Sequence, residues 1–300
     1  MPVKPAPPTE FTDEIKTLFA GKNLEQARKR LLETLPNGWD GHCNLLAFTY
    51  LYTENRSQHD CSEALKWLEQ GVAADEVDAK VILGRILVSG ELGQVDFPRG
   101  MALLQQAADA GVLMAVLTLV QIHRSGVEGF AEADADKARL YMKRAADLGD
   151  PNSAYLLALE LEQGPAADLP QAFRYFDKAA QGGLSQAMHN VGVYYLHGKG
   201  VAKNISLALA YFTEAARLGS PLSMLSLSLL YLDGADVAKD RGVALSWLFI
   251  YQAVFPETDI PEQLQLLLED VSAEEEKFAR TAAQNFLTHQ LNKSPNATLH

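Results

Sequence analysis

Small and apolar residues return along this chain at helical intervals, and the intervals themselves recur. Across residues 186–197, Ala187 is followed at offsets of four, five and eight by Val191, Gly192 and Tyr195, which places all of them on one helix face. Gly198 comes next and suits the left-handed conformation that closes a helix. A second run begins near Asn204, a residue type favoured at helix N-caps. It carries Ala208, Tyr211, Phe212, Ala215 and Ala216 at helical spacing, and Gly219 ends it. The small residues let two backbones approach closely, and the aromatic ones fill the remaining space. Such a hairpin leaves an apolar face uncovered and needs neighbours of its own kind.

Those neighbours are present. The closing glycine recurs as Gly90, Gly126, Gly164, Gly198 and Gly234, at spacings of 36, 38, 34 and 36. The paired alanines recur as Ala107–Ala108, Ala145–Ala146, Ala179–Ala180 and Ala215–Ala216, each followed three residues on by a glycine. Seven residues before each pair stands Gly100, Ala138, Ala172 or Ala208, and the Tyr211 slot holds Leu103, Tyr141 and Tyr175 in the other copies. Two outer hairpins fit more loosely: 42–53 with 63–72, using Ala64 and Trp67, and 223–231 with 242–252, using Ala244 and Trp247. A fixed period of this length predicts an all-α solenoid of stacked antiparallel helix pairs.

The pattern A-x-x-x-L-G-x-x-Y-x-x-G, then A-x-x-Y-F-x-x-A-A-x-x-G, resembles the Sel-one-like repeat family, a branch of the tetratricopeptide-like helical repeats. The resemblance spans residues 42–255, with four close copies and two distant ones. It implies a right-handed superhelical stack, and scaffold or adaptor roles rather than a shared reaction. The copy at 112–149 departs from the pattern. It has Val120 for the usual glycine, His123 for the usual tyrosine and an enlarged loop over 125–135, so looser packing is expected there.

The rest of the chain divides around this array. Residues 1–10 read as a proline-rich disordered arm, and 11–41 as a helical cap whose strongly polar side carries Lys22, Glu25, Arg28, Lys29 and Arg30. The array covers 42–255, and 256–291 reads as C-terminal capping helices with a Ser272/Glu275 capping-box start. Residues 292–300 read as a frayed tail. Apolar content of 48% suffices for a core along the stack, and no apolar run is long enough for a transmembrane helix. The opening residues lack an apolar signal region, so a cytoplasmic location is expected. Cys43 and Cys61 fall on the two halves of the first hairpin, with reduced thiols as the expectation and a disulfide only in an exported chain. The net charge of −12 argues against nucleic acid or anionic membrane as partner.

No motif carries a reaction. Gly198-Lys199 resembles the end of a phosphate-binding loop, but Gly192 is one residue too far, Gly200 replaces the needed Ser or Thr, and no strand precedes. The seven histidines form no i, i+4 pair, and His189 and His197 lie two turns apart, too far to share a metal. Glu160, Glu162 and Asp168 form an acidic patch that reads as a solvated loop rather than an acid–base pair. No cofactor, metal ligand or catalytic residue is expected, and neither glycosylation acceptor, at Asn204 or Asn296, is given weight.

In related families the first helix of each pair lines the concave side. The slots one turn from its packing alanine hold Thr118, Asn190 and Ser226 at one offset and Tyr155 and His189 at the preceding one, with Gln121 further along. This mixed groove suits an extended peptide or partner helix. The competing reading is that Leu117, Tyr155 and Leu225 pack between repeats. The functional expectation is a non-enzymatic protein-interaction scaffold or adaptor. Its alternatives are a self-associating structural protein, with a homodimer as its simplest form, and an accessory subunit of an enzyme or secretion assembly.

Overall fold

The computed structural model describes residues 6–37, 41–164 and 167–293, and among these the regular structure is helical, with a single isolated bridge between Val127 and Ala131. The arm and tail expected from the sequence fall largely on 1–5 and 294–300, outside the described residues, as does Asn296. The chain divides into two compact units, Met1–Leu148 and Gly149–His300.

In the first unit, α1 (Thr9–Ala20) and α2 (Leu24–Thr34) form a hairpin followed by a 3-10 turn. Three helix pairs come after it: α3 (His42–Leu51) with α4 (Gln58–Ala73), α5 (Val77–Ser89) with α6 (Phe97–Asp109), and α7 (Leu113–Ser125) with α8 (Ala135–Asp147). Its core runs through Leu31, Leu46, Leu68, Leu83, Leu104 and Leu119, all fully buried. Cys43 is buried and Cys61 half-buried, and both are free thiols.

The second unit repeats the plan with α9 (Pro151–Gln163) and α10 (Leu169–Gln181), α11 (Ser185–His197) and α12 (Ile205–Arg217), and α13 (Pro221–Asp233) and α14 (Arg241–Val254). Two further helices, α15 (Glu262–Glu269) and α16 (Ala273–Lys293), follow. Leu264, Leu267, Ala279 and Ala283 bury themselves against Leu245, Leu248 and Phe249 of α14. The Ser272/Glu275 box forms as the sequence predicts, each residue's backbone N–H donating to the other's side chain at 2.9 and 3.2 Å.

One connection is reused in every pair from α5 to α14. The residue just before the second helix, Asp96, Asp134, Asp168, Asn204 or Asp240, accepts at its side chain from the backbone N–H three residues on. Its own N–H donates back to the first helix, to Leu87, His123, Leu161, Tyr195 and Tyr231 respectively. One short polar side chain thus starts the second helix, and its backbone ties that start to the first.

The closing glycines behave as the spacing predicts at Gly90, Gly198 and Gly234, which are left-handed. Gly164 does not. It is extended, with φ −66°. A Cβ there would lie 2.8 Å from the Glu160 carbonyl, so close approach rather than conformation favours glycine. His123 fills the tyrosine slot: its ring stacks parallel on Tyr141 with centroids 5.4 Å apart, taking the role Tyr195 has against Tyr211.

Candidate functional site

The first helices of the second unit are positioned by what they press against. Gly192 of α11 faces the Phe212 ring so closely that an added Cβ would sit 2.7 Å from it. At the equivalent slot of α13, the buried Ser228 hydroxyl donates to the Ala244 carbonyl at 2.8 Å. With these faces committed to α12 and α14, the next face of each helix is the candidate surface.

The six residues singled out from the sequence meet different fates. Ser226 lines a cavity of about 570 Å³ with Leu196 of α11, Leu229, Leu230, Leu232 and Asp233 of α13, Lys239 of the following loop and Gln263 of α15. Asn190 is half-buried on α11. His189 is tied down: Nδ1 shares a 3.0 Å hydrogen bond with the fully buried Ser223 hydroxyl, and its ring lies 5.3 Å from that of Phe212. Burial lowers its pKa below the ordinary 6.5, holding the imidazole neutral. Tyr155 packs edge-on against Phe176 of its own helix pair at 5.6 Å, so much of its ring serves the interior of that repeat. Thr118 and Gln121 belong to the first unit and spend their side chains locally, donating to the Met114 carbonyl at 2.8 Å and the Ser125 hydroxyl at 2.9 Å.

A different periodic feature emerges on the second helices. Tyr211 on α12 donates to Asp177 on α10 at 3.1 Å, and Tyr141 on α8 donates to Gln105 on α6. The two ties share one repeat register, two residues before the paired alanines of the preceding copy. Burial, with the Asp177 carboxylate alongside, raises the Tyr211 hydroxyl to about 12.

The features that resembled chemistry take structural partners. Lys199 lies 3.7 Å from Glu162 and over the Tyr194 ring, where it pairs with a carboxylate. Asp168 caps α10. Among the described residues no three His, Cys, Asp or Glu side chains are grouped to hold a metal ion, and no helix is long and apolar enough to cross a membrane.

A second cavity, of about 580 Å³, lies in the first unit between the N-terminal hairpin and α3, lined by Phe19, Leu24, Arg28, Phe48 and Tyr52 among others. Phe48 and Tyr52 stack at 4.0 Å, Phe19 meets Phe48 edge-on at 5.3 Å, and Tyr52 is 62% exposed. The i, i+4 aromatic pair at the end of α3 was the available signal for it. Arg28 is immobilised there, donating to the Thr49 carbonyl at 2.8 Å and lying 3.7 Å above the Tyr50 ring.

Paired helices in fixed register, capped and tied in the same way each time, define an all-α repeat protein of the solenoid class. The sequence model of the Sel1 repeat family matches six times, at residues 43–75, 77–112, 121–150, 151–184, 185–220 and 221–249, and the chain belongs to that family. The third match omits the first half of α7, where Val120 departs from the pattern. Proteins built from these repeats generally mediate protein–protein interactions. The chitin synthase regulator SKT5 of Saccharomyces cerevisiae is 33% identical over 153 residues, 47% of this chain and 21% of that protein. The Sel1-repeat-containing protein YjcO of Escherichia coli K12 is 28% identical over 132 residues, 43% of this chain and 56% of YjcO. The chain thus spans about a fifth of the first relative and about half of the second. A solved Sel1 repeat protein from Oxalobacter formigenes has a TM-score of 0.53 at 22% identity, covering 80% of this chain and 98% of that one, a likeness of fold.

Proposed function

We propose that this chain is a non-enzymatic interaction scaffold that holds an apolar segment of a partner protein against the first-helix face of its second unit. The observation that carries this reading is the leucine-lined cavity formed by α11, α13 and α15, with Ser226 in its wall and Asp233 and Lys239 beside it. Leu229, Leu230 and Leu232 are only half-buried there, so a partner side chain gains contact with them without displacing any core residue. Asn190, half-buried on α11, is a second contact in this reading, with both donor and acceptor for a peptide backbone. His189 and Tyr155 support the face from beneath, and Thr118 and Gln121 take no part. Membership of a family of interaction modules supports the class of function. The cavity supports the place.

The test is parallel affinity purification, from the native cell, of the wild-type chain and a Ser226→Trp variant, with binding of the recovered partner then measured on the purified proteins. A partner held by the wild type and weakened about tenfold, roughly 1.4 kcal/mol, by Ser226→Trp at unchanged helix content supports the site. A partner that binds both alike overturns it.

A further inference from the structure

The longest connection within any helix pair is the one joining α7 to α8. It has nine residues, 126–134, where its counterparts 90–96, 198–204 and 234–240 have seven. The extra length is built rather than loose. Val127 and Ala131 exchange backbone hydrogen bonds at 2.8 and 2.9 Å, and Phe130 N–H donates to the Val127 carbonyl at 3.0 Å. Gly129 turns the tip at φ +76°. Val127 packs inward with Phe97 against the core of the first unit.

Phe130 is covered on one side only. It is 53% exposed, and its ring stacks on Phe97 at 5.3 Å and 16°. Val95, two residues before Phe97, is 51% exposed. The stack on Phe97 covers one face of the Phe130 ring and leaves the rest of it open. The two connections themselves carry charge of one sign, while Arg99, Arg124 and Lys137 flank them and Lys137 pairs with Asp134 at 3.0 Å. Residues 90–98 and 126–134 contain Glu91, Asp96, Glu128, Glu132 and Asp134, with no lysine or arginine. Asp96 and Asp134 are occupied as helix caps, and Glu91 pairs with Arg56 at 3.4 Å. Glu128 and Glu132 are exposed and have no ion-pair partner among the described residues.

We propose that the 126–134 hairpin is a second docking surface, which takes a basic, extended segment of a partner protein: an arginine or lysine stem lies on the exposed Phe130 face, and its charged head meets Glu128 or Glu132. A cation over an aromatic face and a carboxylate beside it reinforce one another, and the net charge of −12 draws basic segments toward the chain. An acidic segment is repelled by the unpaired carboxylates Glu128 and Glu132. This surface lies in the first unit and does not depend on the leucine-lined cavity of the second.

The experiment selects random linear dodecapeptides displayed on phage against the full chain, then measures synthetic versions by fluorescence anisotropy. Enriched peptides are expected to share an arginine or lysine flanked by apolar residues. They should bind Phe130→Ala and Glu128→Gln/Glu132→Gln about tenfold or more weakly, lose affinity steeply with added salt, and bind Ser226→Trp unchanged. Helix content of the Phe130→Ala and Gln variants should match wild type, because these side chains are exposed. Absence of enrichment, enrichment of peptides without basic residues, or full binding to Phe130→Ala overturns the proposal. Loss on Ser226→Trp with retention on Phe130→Ala assigns the peptides to the cavity instead.

Discussion

At the scale of single residues, the repeat is a set of places where only a small side chain fits. Ala215 has no exposed surface, and Ala216 beside it is buried as well. Ala215→Leu is expected to overpack the site and cost about 1–3 kcal/mol, read as a lower midpoint in thermal or denaturant unfolding. An unchanged midpoint would show that α12 presents another face. His189 is the residue whose behaviour should depend on pH. Its pKa is depressed by burial in the folded chain, so the unfolded chain binds its proton more readily. The stability this neutral imidazole contributes is complete above pH 6.5, its ordinary value, and is lost as the pH falls through the folded pKa. His189→Gln removes this term. Melting temperatures of wild type and variant should differ most near neutral pH and converge in acid, and a gap independent of pH would refute the account.

At the scale of elements, the recurrent cap decides how the second helix of each pair starts. Asp240→Ala removes the acceptor for the Val243 N–H, 3.0 Å away, and leaves the backbone bond from Asp240 to Tyr231 in place. The expected cost is about 0.5–2 kcal/mol, with Asp240→Asn close to wild type. Equal losses from both substitutions in chemical denaturation would mean that charge, not the cap, matters. This device was legible in part. Asn204 was recognised from its residue type alone. Its four counterparts also stand four residues before the small residue of their helix, as in Asp96 before Gly100 and Asp168 before Ala172. The unequal loops, from five to nine residues, hid that constancy from a count based on the closing glycines.

At the scale of the whole molecule, a stack of repeats must end on something polar. In the second unit α15 and α16 cover α14, and their exposed side chains include Glu262, Glu269 and Glu274, with Leu266 and Phe278 among them. Deleting 262–293 should uncover Leu245, Leu248 and Phe249, lower the melting temperature and produce aggregates in size-exclusion chromatography. A monomeric truncated chain of unchanged melting temperature would show that these helices are dispensable. The arginine at the start of α14 secures this cap, Arg241 lying 3.0 Å from Glu275 and also donating to the Asp270 carbonyl.

Periodicity determined the helices, their pairing, the number of repeats and the family, because each of these depends on residues close in sequence and on small side chains that recur in register. The tertiary structure decided which of the outward slots are free. Thr118 and Asn190 occupy the same repeat position, and so do Tyr155 and His189, yet the chemistry available at each depends on what the next helix brings: Ser223 and Phe212 against His189, and Phe176 against Tyr155. Tyr211 could not be joined to Asp177, nor Phe130 to Phe97, from local pattern, because each pair spans about one repeat and its geometry follows from how helices stack. A repeat fixes its own fold through contacts it makes every time, and a surface is made by the side chains those contacts leave over.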